Sequence, residues 1–196
     1  MLTKQRKQST TEKLVLTGIL TALVIVLQLL CNFVKVGPFA ITLVLIPIVI
    51  GAATCGPWAG AWLGFVFGFV ACFDPGAAAF YAINIFGTIA TVILKGTLCG
   101  LAAGFAYKLV ERWNKYAAVA VAAVVSPVVN TGVFFLGCLA FFFRDIKSWG
   151  AEAGYENALI YIILAMIGVN FLIELGTNIV LSPVVVRLLN IRKKKS

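Results

Sequence analysis

The sequence contains no histidine, which removes the commonest metal ligand and the commonest general base together. Charge is scarce too: 12% of the 196 residues are charged, where a soluble domain carries about 25%. With 62% hydrophobic residues and a mean hydropathy of +1.04, the composition is that of an integral membrane protein. The five cysteines (Cys31, Cys55, Cys72, Cys99, Cys138) stand singly in apolar segments with no CxxC spacing, so they read as small helix residues and not as a metal or redox centre. Catalytic signatures are missing: no GxSxG with a base, no HExxH, no carboxylate pair at helical spacing within the apolar segments, no Walker loop. No enzyme activity, cofactor or metal is expected, and without a nucleotide site the chain cannot drive uphill transport with ATP by itself. No convincing inverted repeat points to a secondary transporter. The net charge of +9 sits at the ends and in one loop, so it reads as membrane topology and not as a nucleic-acid-binding surface.

Long apolar runs are what the sequence does have. A spanning helix needs about 20 mostly apolar residues, and six segments qualify, at approximately 14–33, 38–54, 57–73, 80–107, 117–143 and 158–189. The expectation is an all-α integral membrane bundle of six transmembrane helices, one domain over 1–196, with the lipid bilayer as its solvent. Gly56-Pro57 separates the short second and third segments, and Asp74-Pro75-Gly76 breaks the chain again. The basic start followed by an apolar run from Leu14 superficially resembles a signal peptide, but no small-residue cleavage site follows, and a retained first helix is expected. The last segment exceeds what the hydrocarbon requires and is expected to tilt or project. Lys4, Arg6, Lys7 and Lys13 precede the first helix; Lys108, Arg112 and Lys115 lie between the fourth and fifth; Arg187 and Arg192 to Lys195 follow the sixth. Six spans put all three basic regions on one side, which the positive-inside rule makes cytoplasmic, with both termini. The other side carries Lys35, Asp74 and a nearly neutral 144–156 loop. Gly56, Gly60, Gly64 and Gly68, and again Gly96, Gly100 and Gly104, recur every four residues. Such stripes let helix backbones approach closely where lipid removes the hydrophobic drive.

Lys95 interrupts this pattern. No charge occurs from Pro75 to Leu94 or from Gly96 to Tyr107, so the lysine lies about a dozen residues, roughly 18 Å, from either end of its segment. A cation there costs about 2.5–3.5 kcal/mol on insertion scales and marks a site facing the bundle interior. Asn84, Thr88, Thr91 and Lys95 fall at i, i+4, i+7 and i+11, one helical face; Asn170, Glu174 and Asn178 form a second, with Thr177 beside it, and Ser126 and Asn130 lie four apart on a third helix. Two readings stand: a private network in which Lys95 pairs with Glu174, or a cavity for a polar small molecule. Trp58 and Trp62 read as interfacial anchors or as a stacking platform. Phe80 and Tyr81, and similarly Trp149, read as a lid or as aromatic belt, and Phe134–Phe143 as lipid-facing bulk.

With these features in place, the chain resembles the substrate-binding S component of energy-coupling-factor (ECF) vitamin transporters over essentially its whole length. The resemblance rests on Thr17-Gly18-Ile19-Leu20-Thr21-Ala22, on Leu45-Ile46-Pro47-Ile48-Val49-Ile50-Gly51 with Gly56-Pro57-Trp58-Ala59-Gly60, and on the Asn170, Glu174, Asn178 stripe with Ser182-Pro183. It implies a vitamin-binding subunit in a prokaryotic plasma membrane, a coupling transmembrane subunit and two cytosolic ATPases as partners, and toppling of the docked subunit in the bilayer. It also implies that Gly18 and Ala22, at the positions of a small-xxx-small docking motif, meet the coupling subunit; Gly18 replaces the family's first alanine. Asn84-Ile85-Phe86-Gly87-Thr88, Lys95-Gly96-Thr97 and Ser126 to Gly132 look most like the pantothenate-type branch. Pantothenate carries one carboxylate for Lys95, and two hydroxyls and an amide for Asn84 and Asn130; Thr88, Thr91, Asn170, Glu174, Asn178 and Tyr81 complete the expected substrate site. Folate or riboflavin, a stand-alone secondary carrier, and a non-transporting membrane scaffold are the alternatives.

Overall fold

In lipid no water is at hand for backbone N–H and C=O groups, so apolar runs satisfy them internally as helices. The computed structural model describes residues 9–31, 35–36, 39–40 and 43–194. In chain order these form α1 (Thr10–Cys31), a two-residue antiparallel ladder of β1 (Lys35–Val36) and β2 (Phe39–Ala40), α2 (Leu45–Cys55) and α3 (Pro57–Ala71). A 3-10 turn (Pro75–Ala77), α4 (Ala78–Ile83), α5 (Ile85–Val110) and α6 (Lys115–Gly137) follow. A wide π turn (Cys138–Phe142) joins α6 to α7 (Phe143–Glu152), and a second (Ile162–Gly168) joins α8 (Ala158–Tyr161) to α9 (Val169–Lys194). Lys4, Arg6, Lys7 and Lys195, and the expected helix ends at 32–33 and 38, lie outside the described residues.

All six apolar segments are helical over most of their length, but they differ in reach. Among the described residues four helices are long and apolar enough to cross a membrane: Thr10–Cys31, Ile85–Val110, Lys115–Glu152 and Ala158–Arg187. Pro57–Ala71 with Pro75–Ile83, bent by 72°, adds a fifth if the pair is one span. At 11 residues, α2 is about 16 Å long, half of an ~30 Å hydrocarbon core. Hydropathy alone does not show where these helices stop. At Gly56 the backbone takes φ 104°, which favours glycine, and Pro57 then opens α3 at its first turn. At Asn84 the side chain accepts from the Gly87 N–H at 2.9 Å and caps α5. The expected helix 80–107 is therefore two helices. Asn114 caps α6 in the same way, through the N–H groups of Tyr116 and Ala117 at 2.8 and 3.3 Å.

Two ends of the bundle are defined by contacts. At one, the Cys55 thiol donates to the Lys13 carbonyl at 3.7 Å, and Gly104 packs on Pro57. At the other, Gln28 near the end of α1 meets Asp74 beyond α3. Gly51, midway along α2, packs on Leu20 of α1 and Leu63 of α3.

The closest contact in the bundle is α3 on α5, antiparallel and backbone to backbone. Gly60 faces Gly100, Gly64 faces Gly96, and Gly68 faces Val92 and Ile93; a Cβ at any of the three α3 glycines would lie under 3.0 Å from backbone atoms of α5. A facing backbone cannot turn aside as a side chain can, and overpacking of this kind costs about 1–3 kcal/mol or more. Gly64→Val is therefore expected to lower the thermal unfolding midpoint in detergent by several degrees or to prevent folding. Gly132→Ala, where nothing lies within 4 Å, is expected to leave it unchanged or slightly raised.

Candidate ligand-binding site

A cavity of about 130 Å³ opens at the bundle end that holds Gln28 and Asp74. In the same measure a single water needs about 10–15 Å³. Its walls come from α1, α3, α5, α6 and α9, with the Asp74–Ala77 turn at its rim. The antiparallel glycine contact sets the register of two of these walls. It holds Gly96 against Gly64, which puts the neighbouring Lys95 beside Phe67 of α3.

Lys95 is half-buried, with its Nζ 5.8 Å from the Phe67 ring centre and 5.3 Å from that of Phe134. Ring faces attract a cation by about 0.5–2 kcal/mol each, more as water is excluded. Lys95 and Glu174 both line the cavity. Glu174 is 5% exposed and accepts from the Asn130 Nδ2 at 3.3 Å.

The predicted residues divide into two groups. Thr88, Thr91, Lys95, Asn130, Asn170 and Glu174 line the cavity together. Asn84, Asn178 and Tyr81 do not. Asn84 is committed to capping α5. The Asn178 Nδ2 donates to the Glu174 carbonyl at 2.8 Å, inside its own helix, and the Tyr81 hydroxyl donates to the Cys72 carbonyl at 2.8 Å. Gly18 and Ala22 do not line the cavity but lie on the exposed face of α1, where a Cβ on Gly18 would meet nothing within 4 Å. Trp58 and Trp62 are exposed, and the Trp62 Nε1 donates to the Thr21 hydroxyl at 3.2 Å.

Four buried oxygens of cavity-lining residues lack a hydrogen-bond partner among the described residues: Gln28 Oε1, Thr91 Oγ1, Asn130 Oδ1 and Asn170 Oδ1. A buried polar atom left in this state costs about 1–3 kcal/mol. So many at one void mark a surface completed by a polar guest or by water.

Some lining residues went unread in the sequence. Gln28, 3% exposed, was legible as the one amide in the apolar run of α1. Asp74 read as part of a chain break and as a charge on the outer side, yet it accepts from the Gln28 Nε2 at 2.7 Å and lines the cavity. In the stretch 134–143, expected to face lipid, Leu136, Phe141 and Phe143 are exposed, but Phe142 is 2% exposed and lines the cavity with Phe134. The π turn at Cys138–Phe142 takes an extra residue per turn and shifts the register that a 3.6-residue period would give. Phe80 is buried and sits at the centre of an aromatic cluster, with ring centres 5.9, 5.1 and 5.7 Å from those of Phe134, Phe142 and Trp149, all edge-on. Phe142→Ala is expected to destabilise the fold by about 3–5 kcal/mol, read as a fall in unfolding midpoint.

A family model described as "ECF transporter, substrate-specific component" matches residues 12–186. No curated protein and no solved structure matches the chain.

Proposed function

The chain belongs to the family of ECF transporter substrate-specific components, and from that premise we propose that it captures pantothenate from outside the cell for an ATP-driven importer. Membership makes the chain a multi-pass membrane protein that binds a small-molecule substrate for a membrane-embedded ECF module, and not an enzyme. The finer reading is our own. Lys95 receives the carboxylate of the substrate, and the hydroxyls and amide N–H of pantothenate meet the oxygens of Thr91, Asn130, Asn170 and Glu174. The observation that carries this reading is one cation resting on two rings beside a wall of unpartnered acceptors. Two carboxylates, Asp74 and Glu174, also line the void, which favours a ligand rich in hydrogen-bond donors over one with several anionic groups, such as folate. Size points the same way. A dry cavity of about 150 Å³ holds benzene, so this one must widen for a vitamin, and less for pantothenate than for riboflavin or folate.

Six crossings complete the proposal. The short α2 serves as the lower half of the second crossing, since it runs beside α1 to end near Lys13. Counting it keeps Lys13, the Lys108–Lys115 region and Arg187 on one face, which is cytoplasmic together with both termini. The membrane is the plasma membrane of a prokaryote. Gly18 and Ala22 meet the coupling transmembrane subunit, whose two cytosolic ATPases hydrolyse ATP.

The test is titration of the purified chain with pantothenate. Lys95→Gln is expected to weaken binding by about tenfold or more, as loss of a buried charge-assisted hydrogen bond would, with little change in unfolding midpoint. Unchanged affinity would rule out the carboxylate role. Gly18→Trp or Ala22→Trp is expected to abolish co-purification with the coupling subunit while leaving pantothenate binding intact; uptake by the chain alone in vesicles would establish a stand-alone carrier instead.

A further inference from the structure

Gln28 is the one cavity-lining residue contributed by α1, a helix otherwise buried through Leu20, Val24 and Cys31. Its Nε2 donates to Asp74 Oδ2 at 2.7 Å. An ionised carboxylate only accepts hydrogen bonds, so this pair fixes which way the amide points: NH2 towards Asp74, carbonyl oxygen away. That oxygen is buried and has no partner among the described residues. The same device recurs on α6. Asn130 donates its Nδ2 to Glu174 Oε2 at 3.3 Å, and its Oδ1 is likewise buried and unpartnered. Two amides on separate helices are thus each oriented by a carboxylate so that an acceptor is left over at one void.

We propose that Gln28 is a substrate-contacting, specificity-determining residue, which accepts a hydrogen bond from a hydroxyl or N–H of the bound molecule and so selects a ligand with a donor at that point. Asp74 is its positioning residue. An unsubstituted ether, ester or methyl at the same place leaves the Gln28 oxygen unpaired and is rejected; such a site discriminates sharply because its own buried group goes unsatisfied. The proposal rests on reading the cavity as the substrate site, and it brings α1 into that site.

The test compares pantothenate with two analogues, each lacking one of its hydroxyls, on the full chain in detergent. The wild-type chain is expected to bind pantothenate at least about tenfold tighter than one of the analogues, the effect of one buried hydrogen bond. Gln28→Met keeps the volume but removes both polar atoms, and it is expected to bring that ratio close to one, chiefly by weakening pantothenate. Asp74→Asn keeps Gln28 but lets its amide turn, and it is expected to flatten the same ratio. A wild-type ratio retained in Gln28→Met overturns the proposal. If Gln28→Met does not fold, as judged by its melting curve, the Asp74→Asn ratio decides by the same criterion. If the wild-type chain binds no pantothenate, the substrate reading fails while Gln28 is judged separately, on the small molecule that copurifies with the chain. Its loss from Gln28→Met upholds the proposal; equal amounts in both, or none in either, overturn it.

Discussion

The structure depends on a contact between two backbones. Gly60, Gly64 and Gly68 on α3 meet Gly100, Gly96 and Val92 on α5 without a side chain between them. In lipid, where apolar side chains gain nothing by leaving the solvent for each other, this close approach replaces hydrophobic burial as the source of cohesion. It also acts as a ruler. Side chains can yield by changing rotamer, whereas two touching backbones fix depth to within a fraction of a turn. Lys95, one residue before Gly96, and Phe67, three residues after Gly64, are brought together by that register. The site is therefore positioned from its back wall, chiefly by glycines that do not line it.

Polar groups then close what glycine opens. The amides of the bundle serve two different ends. Asn84, Asn114 and Asn157 satisfy backbone N–H groups at helix starts, whereas Asn130 and Gln28 bond to carboxylates across helices. The first kind decides where helices begin and the second where a void stays polar. The two kinds cannot be told apart by periodicity, because a cap and a cavity residue can share one face.

That distinction sets how far the sequence could be read. The apolar segments, the glycine stripes and the inward run of Thr88, Thr91 and Lys95 all follow from composition and a 3.6-residue period in a greasy background, and the structure has them except at Gly56, which precedes α3 and where a Cβ would meet nothing within 4 Å. Asn84 extends the same face on paper, but a helix start intervenes, and its oxygen turns to Gly87. Phe142 reads with the rest of Phe134–Phe143 as lipid-facing bulk, but a stretch of ten helical residues has more than one face, and Phe142 is turned inward at the end of a π turn. Gln28 and Asp74 lie 46 residues apart, and nothing local in either announces the other. The reach of each segment was also beyond hydropathy, which counts apolar residues but not the point where Gly56 or Asn84 ends a helix.

The two rings flanking Lys95 have a consequence for how an anion is received. A lysine clasped by a carboxylate must surrender that partner before it takes another, and the exchange gains little free energy. Ring faces hold the ammonium group without directed bonds, so it can swing toward a newcomer while keeping much of their attraction. The cation is berthed against two rings, and an anion that reaches it shares the void with Asp74 and Glu174.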